Sequence, residues 1–295
     1  MSFFSERFKN FGLRIVPDDP LFVYIFYVGV YMKVGFIGCG NMAKAMISGI
    51  IKSGQCKAPD IIAFDVYTAG LQAASKDLGI NAAQDNKEVA RSADIIVLAV
   101  KPQFYENVIT DIKDTVTEKS IIVTIAPGQT LKQLEQWFGK TVKTVRTMPN
   151  TPAMVSEGMT AVCCNKAVTE DELKTVRSLL NSFGKSEVVA EYMMDAVVAV
   201  SGSSPAYVFM LIEAMADAAV MGGMPRPAAY TFAAQAVLGS AKMVLETGKH
   251  PGELKDMVCS PAGTTIEAVR VLENAGFRSA VIEAMDACIE RSRNM

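Results

Sequence analysis

Histidine is nearly absent from this sequence, since His250 is the only one in 295 residues. The six cysteines are scattered, and no two of them form a Cys-x-x-Cys pair. Structural zinc sites are built from such pairs, with or without histidine, so the sequence predicts no bound metal. Scattered cysteines are typical of reduced thiols, which favours a cytoplasmic protein.

A surplus of positive charge is also absent. Lys and Arg number 29 against 31 Asp and Glu, which gives a net charge of −2 and argues against a nucleic-acid partner. The apolar stretch of residues 21–32 is shorter than the roughly 20 residues that a membrane span needs, and Lys33 ends it. We therefore expect no stable membrane span in this stretch.

Residues 1–31 do not share the pattern of the rest of the sequence. They lack the basic start and the small-residue cleavage site of a secretory signal, and Met32 opens a strand-like run. We interpret residues 1–31 as an added or mistranslated leader, with Met32 as the natural start. An extra strand and an interfacial anchor are the alternatives.

From Met32 to residue 190, short β-branched runs alternate with helical stretches. Apolar runs such as residues 33–38, 93–100 and 120–125 predict buried strands of a parallel sheet. Strands that alternate with helices are typical of a doubly wound α/β sheet with right-handed crossovers. We predict one such domain over residues 32–190.

Strand patterns stop at Glu191, and residues 191–295 predict helices only. This part is rich in Ala, Gly and Met, and its apolar positions fill more than one face of each predicted helix. Such helices are covered on several sides, as in a subunit interface. We predict an all-α C-terminal dimerisation domain over residues 191–295, with an ordinary single-chain core as the alternative.

A glycine motif follows the first predicted strand. Gly38, Gly40 and Ala43 in GFIGCGNMA match G-x-G-x-x-A between a strand and a helix, which is the context of a Rossmann-type dinucleotide site. The N–H groups of residues 39–42 are then expected to face a pyrophosphate at the helix N-terminus. A tight turn without a ligand is the alternative.

Asp65 closes the second predicted strand, where cofactor selectivity is usually decided. A carboxylate at this position suits a ribose 2′-hydroxyl and repels a 2′-phosphate. The next residues, Val66, Tyr67 and Thr68, include no arginine. The sequence therefore favours NADH over NADPH, unless Asp65 is a solvated loop residue or a helix cap.

Two further loops follow predicted strands at the expected ligand-binding edge. Lys101 precedes Pro102 in AVKP, and either a surface ion pair or a ligand contact fits this lysine. Asn150 lies in MPNTPAMV, where its amide suits a nicotinamide carboxamide or, as we prefer, the organisation of the loop itself.

The segment GKHPGELKDMVCSPAGTTIEAV contains both His250 and a turn that leads into a helix. Thr264 and Glu267 match a capping box, a purely structural device. Ser260, Gly263, Thr264 and Thr265 also place hydroxyls and N–H groups at one helix N-terminus. Such a group binds a carboxylate without any arginine.

The sequence resembles the pyrroline-5-carboxylate reductase family of proline biosynthesis. The resemblance lies in GFIGCGNMAKAM, AVKP, MPNTPA, VSGSSPAYVF, GGMPR and HPGELKDMVCSPAGTTIEAVRVLE, which together span the chain from Met32 to about Arg293. It implies a Rossmann domain, an interlocked helical domain, a homodimer and further assembly into a decamer. Many members carry arginine or serine after the second strand, where this chain has Asp65, and glycine at the position of Ala262.

The resemblance also implies roles for particular residues. It places the substrate on Glu191, Ser260, Thr264 and Thr265, with Glu191 near the ring nitrogen and with Ser260 and Thr265 as catalytic residues. It places the cofactor, NADPH or NADH, on a larger set: Ile37, Gly38, Cys39, Gly40, Asn41, Met42, Asp65, Asn86, Ala99, Val100, Lys101, Pro102, Ile125, Ala126 and Pro127.

The implied reaction reduces a cyclic imine, and the proton on its nitrogen can come from solution. We therefore expect His250 to start a helix before Pro251 rather than to transfer a proton. One alternative function is a β-hydroxyacid dehydrogenase of the same plan, for which Lys242 or Lys255 is the candidate lysine. A non-catalytic nucleotide sensor and a membrane-anchored enzyme are the others.

Overall fold

The computed structural model describes residues 32–294, and the expectations for residues 1–31 lie outside this range. Eight strands form one sheet: β1 (Val34–Ile37), β2 (Ile61–Phe64), β3 (Asn81–Ala82), β4 (Ile95–Leu98), β5 (Ile121–Thr124), β6 (Lys143–Met148), β7 (Gly158–Cys164) and β8 (Gly184–Val188). Their spatial order is β3-β2-β1-β4-β5-β6-β7-β8. Successive strands are added on one side of β1 up to β3 and on its other side from β4 onward. Open α/β sheets bind ligands at such a switch point, here between β1 and β4.

Helices cover both faces of this sheet. They are α1 (Asn41–Lys52), α2 (Thr68–Leu78), α3 (Asn86–Ser92), α4 (Tyr105–Ile112), α5 (Leu131–Phe138) and α6 (Glu170–Leu180). Met46 and Ile50 of α1 pack with Phe36 in one core, and Ile109 of α4 packs with Leu98 in the other. The predicted doubly wound α/β domain is therefore confirmed, with β4 and β5 buried along their whole length.

One pair of strands departs from the parallel arrangement of the sheet. Strands β1 to β6 are parallel to their neighbours, but β7 runs antiparallel to β6. Only residues 149–157 connect the two, and they contain a short 3-10 helix, Thr151–Val155. So short a connection cannot carry the chain back across the sheet, so β7 must return antiparallel.

The short elements β3 and α3 were not expected. Asp85 begins α3 by accepting a hydrogen bond from the Glu88 N–H at 2.7 Å, and the Glu88 carboxylate accepts one from the Gln84 N–H. This Asp-x-x-Glu spacing is a helix-start pattern that the sequence does contain.

Residues 191–294 are helical, as expected. After a short turn come α7 (Met194–Val197), a π-helical turn (Val198–Gly202), α8 (Ser204–Met221), α9 (Arg226–Thr247), α10 (Pro251–Val258), α11 (Thr264–Asn274) and α12 (Phe277–Arg293). Large apolar side chains of α8 and α9 lie exposed, among them Phe209 (63%), Met210 (68%), Phe232 (67%) and Leu245 (72%). An exposed apolar surface of this extent marks a contact with another protein or with a membrane.

Within residues 32–294, one helical stretch is long and apolar enough to cross a membrane by length and composition alone. It is Glu191–Met221, with a mean hydropathy of 1.4 in its most apolar window, of which 11% is buried. A helix whose exposed face is covered by a second subunit meets the same criteria. The composition of this stretch therefore assigns no membrane by itself.

Candidate active site

The turn after β1 depends on two glycines for different reasons. Gly38 has φ +98°, and a Cβ added to it would lie 2.5 Å from the Ala99 carbonyl oxygen. No other residue fits there without moving the end of β4. At Gly40 an added Cβ would meet nothing within 4 Å, so the backbone faces open space in which a ligand group can lie.

The N-terminus of α1 offers backbone donors to that space. No side chain caps Gly40, and the N–H groups of Gly40, Asn41 and Met42 have no acceptor among residues 32–294. Unpaired N–H groups at a helix N-terminus fit a pyrophosphate. The Cys39 N–H, which we also expected to be free, is taken, because it donates to Asp65 Oδ2 at 2.7 Å.

Asp65 joins the turns that follow β1 and β2. Besides the Cys39 N–H, its carboxylate accepts the Tyr67 N–H through Oδ1 at 2.8 Å. Val66, which lies between Asp65 and Tyr67 in the sequence, is 89% exposed. Both carboxylate oxygens are thus held by backbone donors, and the charge stays beside the glycine turn.

A cleft of about 370 Å³ opens between these turns and α4. Five residues expected to bind cofactor line it: Ile37, Gly38, Asp65, Asn86 and Val100. The other lining residues were not expected from the sequence, and they are Phe64, Val66, Phe104, Asn107, Val108 and Asp111. The mixture of apolar walls with a few polar groups fits the adenosine part of a dinucleotide.

The remaining expected cofactor residues lie along the same carboxyl edge of the sheet. Residues 99–102 follow β4 and residues 125–127 follow β5. Tyr105 joins these two segments, since its buried hydroxyl donates to the Leu98 carbonyl at 2.7 Å and accepts from the Ile125 N–H at 3.3 Å. Burial raises the pKa of Tyr105 well above its ordinary value, so the hydroxyl keeps the proton that it donates.

Sequence reasoning missed Tyr105, because an aromatic residue on an apolar helix face looks like any other core residue. For Asn150 the preferred interpretation is confirmed. Its Oδ1 accepts from the Met159 N–H at 2.8 Å, and its Nδ2 donates to the Ser201 carbonyl and hydroxyl, each at 3.2 Å. Asn150 thus ties its loop to β7 and to the π-helical turn.

The expected capping box at Thr264 is wrong. Helix α11 starts at Thr264 with Gly263 as its N-cap residue, and no side chain caps it. Glu267, the expected partner of the cap, instead pairs with Arg270, whose Nε donates to it at 3.0 Å. The first-turn N–H groups of α11 are therefore left without acceptors among residues 32–294.

A tight turn places Ser260 next to this helix start. The Gly263 N–H donates to the Ser260 carbonyl at 3.1 Å, and Ala262 has φ +54°. With Pro261 at the second position, a positive φ at the third is the type II arrangement, which favours glycine and costs Ala about 1 kcal/mol. At Gly263 an added Cβ would lie 2.3 Å from Ser260 Oγ, so the hydroxyl lies directly over that backbone.

The hydroxyls of Ser260, Thr264 and Thr265 make no hydrogen bond within residues 32–294. All three residues are at least partly exposed, beside the unpaired N–H groups of α11. The structure thus brings these expected substrate residues together at one helix N-terminus. Hydroxyl and N–H donors at the positive end of a helix suit a carboxylate.

His250 is the N-cap residue of α10. Its Nδ1 accepts the Gly252 N–H at 3.0 Å, and Pro251 is the first residue of the helix. This geometry matches the expected helix-start role, because the ring nitrogen is already used as a cap.

The Glu191 carboxylate is hydrogen-bonded to residues of the sheet domain. Its Oε1 accepts the Leu131 N–H at 2.8 Å and an Arg146 Nη1 donor at 3.0 Å. Within residues 32–294 no hydrogen bond joins it to the α11 segment. The expected contact of Glu191 with the substrate ring stays a prediction, and the partners of its carboxylate among the described residues are Leu131 and Arg146.

Family models match both parts of the chain. Residues 33–128 match a model described as NADP oxidoreductase, coenzyme F420-dependent. Residues 191–295 match a model for pyrroline-5-carboxylate reductase dimerisation. The second match covers the helices whose apolar faces lie exposed, and a dimerisation domain of this kind supports oligomerisation of the chain.

Relatives and solved structures agree with these matches. The pyrroline-5-carboxylate reductase of Escherichia coli (strain K12) is 57% identical over 263 residues, which cover 89% of this chain and 98% of the relative. The structure of that enzyme from Coxiella burnetii has a TM-score of 0.83 at 35% identity, covering 90% of this chain and 98% of the other. The Plasmodium falciparum structure, with NADP bound, has a TM-score of 0.82 at 33% identity over 89% and 97%. The chain belongs to the pyrroline-5-carboxylate reductase family.

Proposed function

We propose that this protein reduces 1-pyrroline-5-carboxylate to L-proline with NAD(P)H, the final step of proline biosynthesis. Within a chain of this family, the observation that carries the proposal is the start of α11. There three hydroxyls and the first-turn N–H groups have no partner among residues 32–294. A small carboxylate is the ligand that such a group of donors accommodates.

The α11 segment binds the substrate carboxylate. The Ser260 and Thr264 hydroxyls and the helix N–H groups donate to its oxygens, and the helix dipole stabilises its charge. Holding the carboxylate fixes the ring and presents one face of the imine carbon. Thr265 lies one residue further along α11, where its hydroxyl reaches toward the ring nitrogen.

The sheet domain binds the cofactor. Its open space at Gly40 and the unpaired N–H groups of residues 40–42 fit the pyrophosphate, and the cleft beside Asp65 fits the adenosine. The nicotinamide supplies the hydride chemistry when bound. The protein's own part is to hold the substrate carboxylate and exclude other orientations, while the imine nitrogen takes its proton from solution.

The hydroxyacid dehydrogenase alternative finds no support in its candidate lysines. Lys242 pairs with Glu246 at 3.5 Å and remains 66% exposed. Lys255 pairs with Asp256, and this hydrogen bond raises the pKa of the lysine. A catalytic lysine of that kind needs a desolvated site, and among residues 32–294 the Lys242 and Lys255 side chains are 66% and 37% exposed.

We also propose the assembly of the protein. The domain division lies at Glu191, the helical domain pairs with a second copy, and the dimers associate into a decamer. The unpartnered α11 donors and the exposed faces of α8 and α9 support an active site that a second subunit completes. Light scattering on the purified protein is expected to give a mass well above the 31.8 kDa of one chain. A species of one chain would contradict the assembly, and a dimer would contradict only the decamer.

The activity has a direct test. Purified protein is expected to oxidise NADH or NADPH only when 1-pyrroline-5-carboxylate is added, with formation of proline. Loss of the reduced-nicotinamide absorbance measures the reaction, and a β-hydroxyacid with oxidised cofactor serves as the control for the alternative function. Failure of both cofactors with the imine would overturn the proposal. Recovery of the activity in the soluble fraction of cells supports the cytoplasmic location that we propose.

A further inference from the structure

We propose that Glu191 is a positioning residue that holds the loop of residues 125–130, which we call the cofactor loop. Residues 125–127 of this loop are where the nicotinamide cofactor is expected to bind. The inference rests on the proposed use of NAD(P)H and gives Glu191 a different role from the expected contact with the substrate ring.

The Glu191 carboxylate closes the end of the cofactor loop. Leu131 is the first residue of α5, and its N–H donates to Glu191 Oε1 at 2.8 Å from 60 residues along the chain. Thr130, the last residue of the loop, caps the same helix by accepting the Gln133 N–H at 3.2 Å. A carboxylate at a helix N-terminus is stabilised by the helix dipole, so Glu191 fixes the point where the loop becomes helix.

A buried cation fixes the carboxylate in turn. Arg146 lies in the middle of β6 with its side chain 7% exposed, and its Nη1 donates to Glu191 Oε1 at 3.0 Å. A buried guanidinium without an anion is strongly unfavourable. Arg146 thus holds Glu191 against the sheet, and Glu191 passes this constraint to the start of α5.

Apolar packing supports the same junction. The Leu131 side chain packs in a small core with Met194 and Val197 of α7 and with Cys163 of β7. The start of α5 is therefore attached to the segment around Glu191 by a polar and an apolar contact. At the other end of the loop, the Ile125 N–H donates to Tyr105 within the sheet domain. The loop thus has one hydrogen bond at each end, to Tyr105 and to Glu191, and of these two residues only Glu191 lies in the segment that begins the helical domain.

Loss of the Glu191 attachment is expected to loosen the cofactor loop and leave the imine site unchanged. Glu191→Ala is expected to raise the Kd and KM for NAD(P)H about fivefold, with kcat at saturating cofactor within about twofold. Glu191→Gln keeps an acceptor oxygen for Leu131 but leaves Arg146 without its anion, so it is expected to recover only part of the affinity. Glu191→Asp keeps the charge on a shorter side chain and is expected to fall between the two.

The matched control is Glu172. Like Glu191, Glu172 forms an ion pair with a β6 residue, Lys143, at 2.6 Å. It also accepts a hydrogen bond at the start of a helix, α6, which is distant from the cofactor loop in the sequence. Glu172→Ala is therefore expected to lower thermal stability as well, while leaving cofactor affinity unchanged. If Glu191→Ala does not fold, the Gln and Asp variants give the same comparison.

Cofactor fluorescence titration measures Kd without any imine, so it tests this inference even if the proposed reaction fails. Equal cofactor Kd values in the Glu191 and Glu172 variants would overturn the positioning role. A rise in the imine KM at unchanged cofactor Kd would also overturn it, and would assign Glu191 to the substrate.

Discussion

Replacing Asp65 with asparagine is expected to raise the ratio of kcat/KM for NADPH to that for NADH about tenfold, which corresponds to about 1.4 kcal/mol. Asp65 lines the cofactor cleft at the end of β2, where a carboxylate accepts the ribose 2′-hydroxyl and repels a 2′-phosphate. Asparagine removes the charge and keeps the shape of the side chain.

The surroundings of Asp65 make its charge decisive. The described residues that line the cleft include two aspartates, Asp65 and Asp111, and no Lys or Arg. Asp111 is paired with Lys87 at 3.3 Å, whereas the Asp65 oxygens accept backbone N–H groups. Two unit charges about 5 Å apart at an effective dielectric constant near 20 repel by about 3 kcal/mol before salt screening. A tenfold effect therefore needs only part of that repulsion.

The control for this exchange is Asp77→Asn. Asp77 lies exposed in the last turn of α2, so its removal changes the net charge equally but far from the cleft. Asp65→Asn also loses one acceptor oxygen, so affinity for both cofactors is expected to fall somewhat, and the ratio of the two is the diagnostic quantity. A wild-type preference for NADPH of more than about tenfold would contradict the carboxylate argument. The argument would also fail if Asp65→Asn, like Asp77→Asn, left the NADPH-to-NADH ratio of kcat/KM unchanged.

The predictable part of this structure is the part that local chemistry determines. The β1–glycine turn–α1 unit follows from an apolar run, two glycines and a helical pattern that are adjacent in the chain. In the predicted all-helical part, α12 begins directly after Gly276, whose left-handed conformation marks the start of the helix. The buried strands β4 and β5 lie within the apolar runs 93–100 and 120–125 from which they were predicted.

The parts that could not be predicted depend on residues far apart in sequence. The Cys39 N–H is taken by a carboxylate 26 residues away, and Leu131 by one 60 residues away. At α11 the sequence offered a capping box, but the tight turn of residues 260–263 makes Gly263 the cap, and Arg270 competes for Glu267. A local motif fails when a neighbouring turn or charge offers its groups a better partner.

Thr265→Val is expected to lower kcat/KM for the imine by roughly 10- to 100-fold. Valine keeps the shape of the side chain and removes only the hydroxyl, and a hydrogen bond to a charged group contributes about 1.5–3 kcal/mol. Thr265→Ser restores a hydroxyl and is expected to recover most of the activity. The Kd for NAD(P)H is expected to stay within about twofold, since Thr265 lies on α11 and the cofactor cleft lies in the sheet domain.

Thr247→Val is the matched control in the same domain. Thr247 ends α9, and its exposed hydroxyl donates to the Met243 carbonyl at 2.7 Å, so it is already satisfied within its own helix. Its loss is expected to leave the kinetics unchanged, whereas the Thr265 hydroxyl has no partner within residues 32–294 and is available to the substrate. Steady-state kinetics in both substrates separate the outcomes. A selective loss of cofactor affinity in Thr265→Val would show that Thr265 does not belong to the substrate site. Equal kcat/KM values for the imine in the two valine variants would show that the Thr265 hydroxyl plays no part in the reaction.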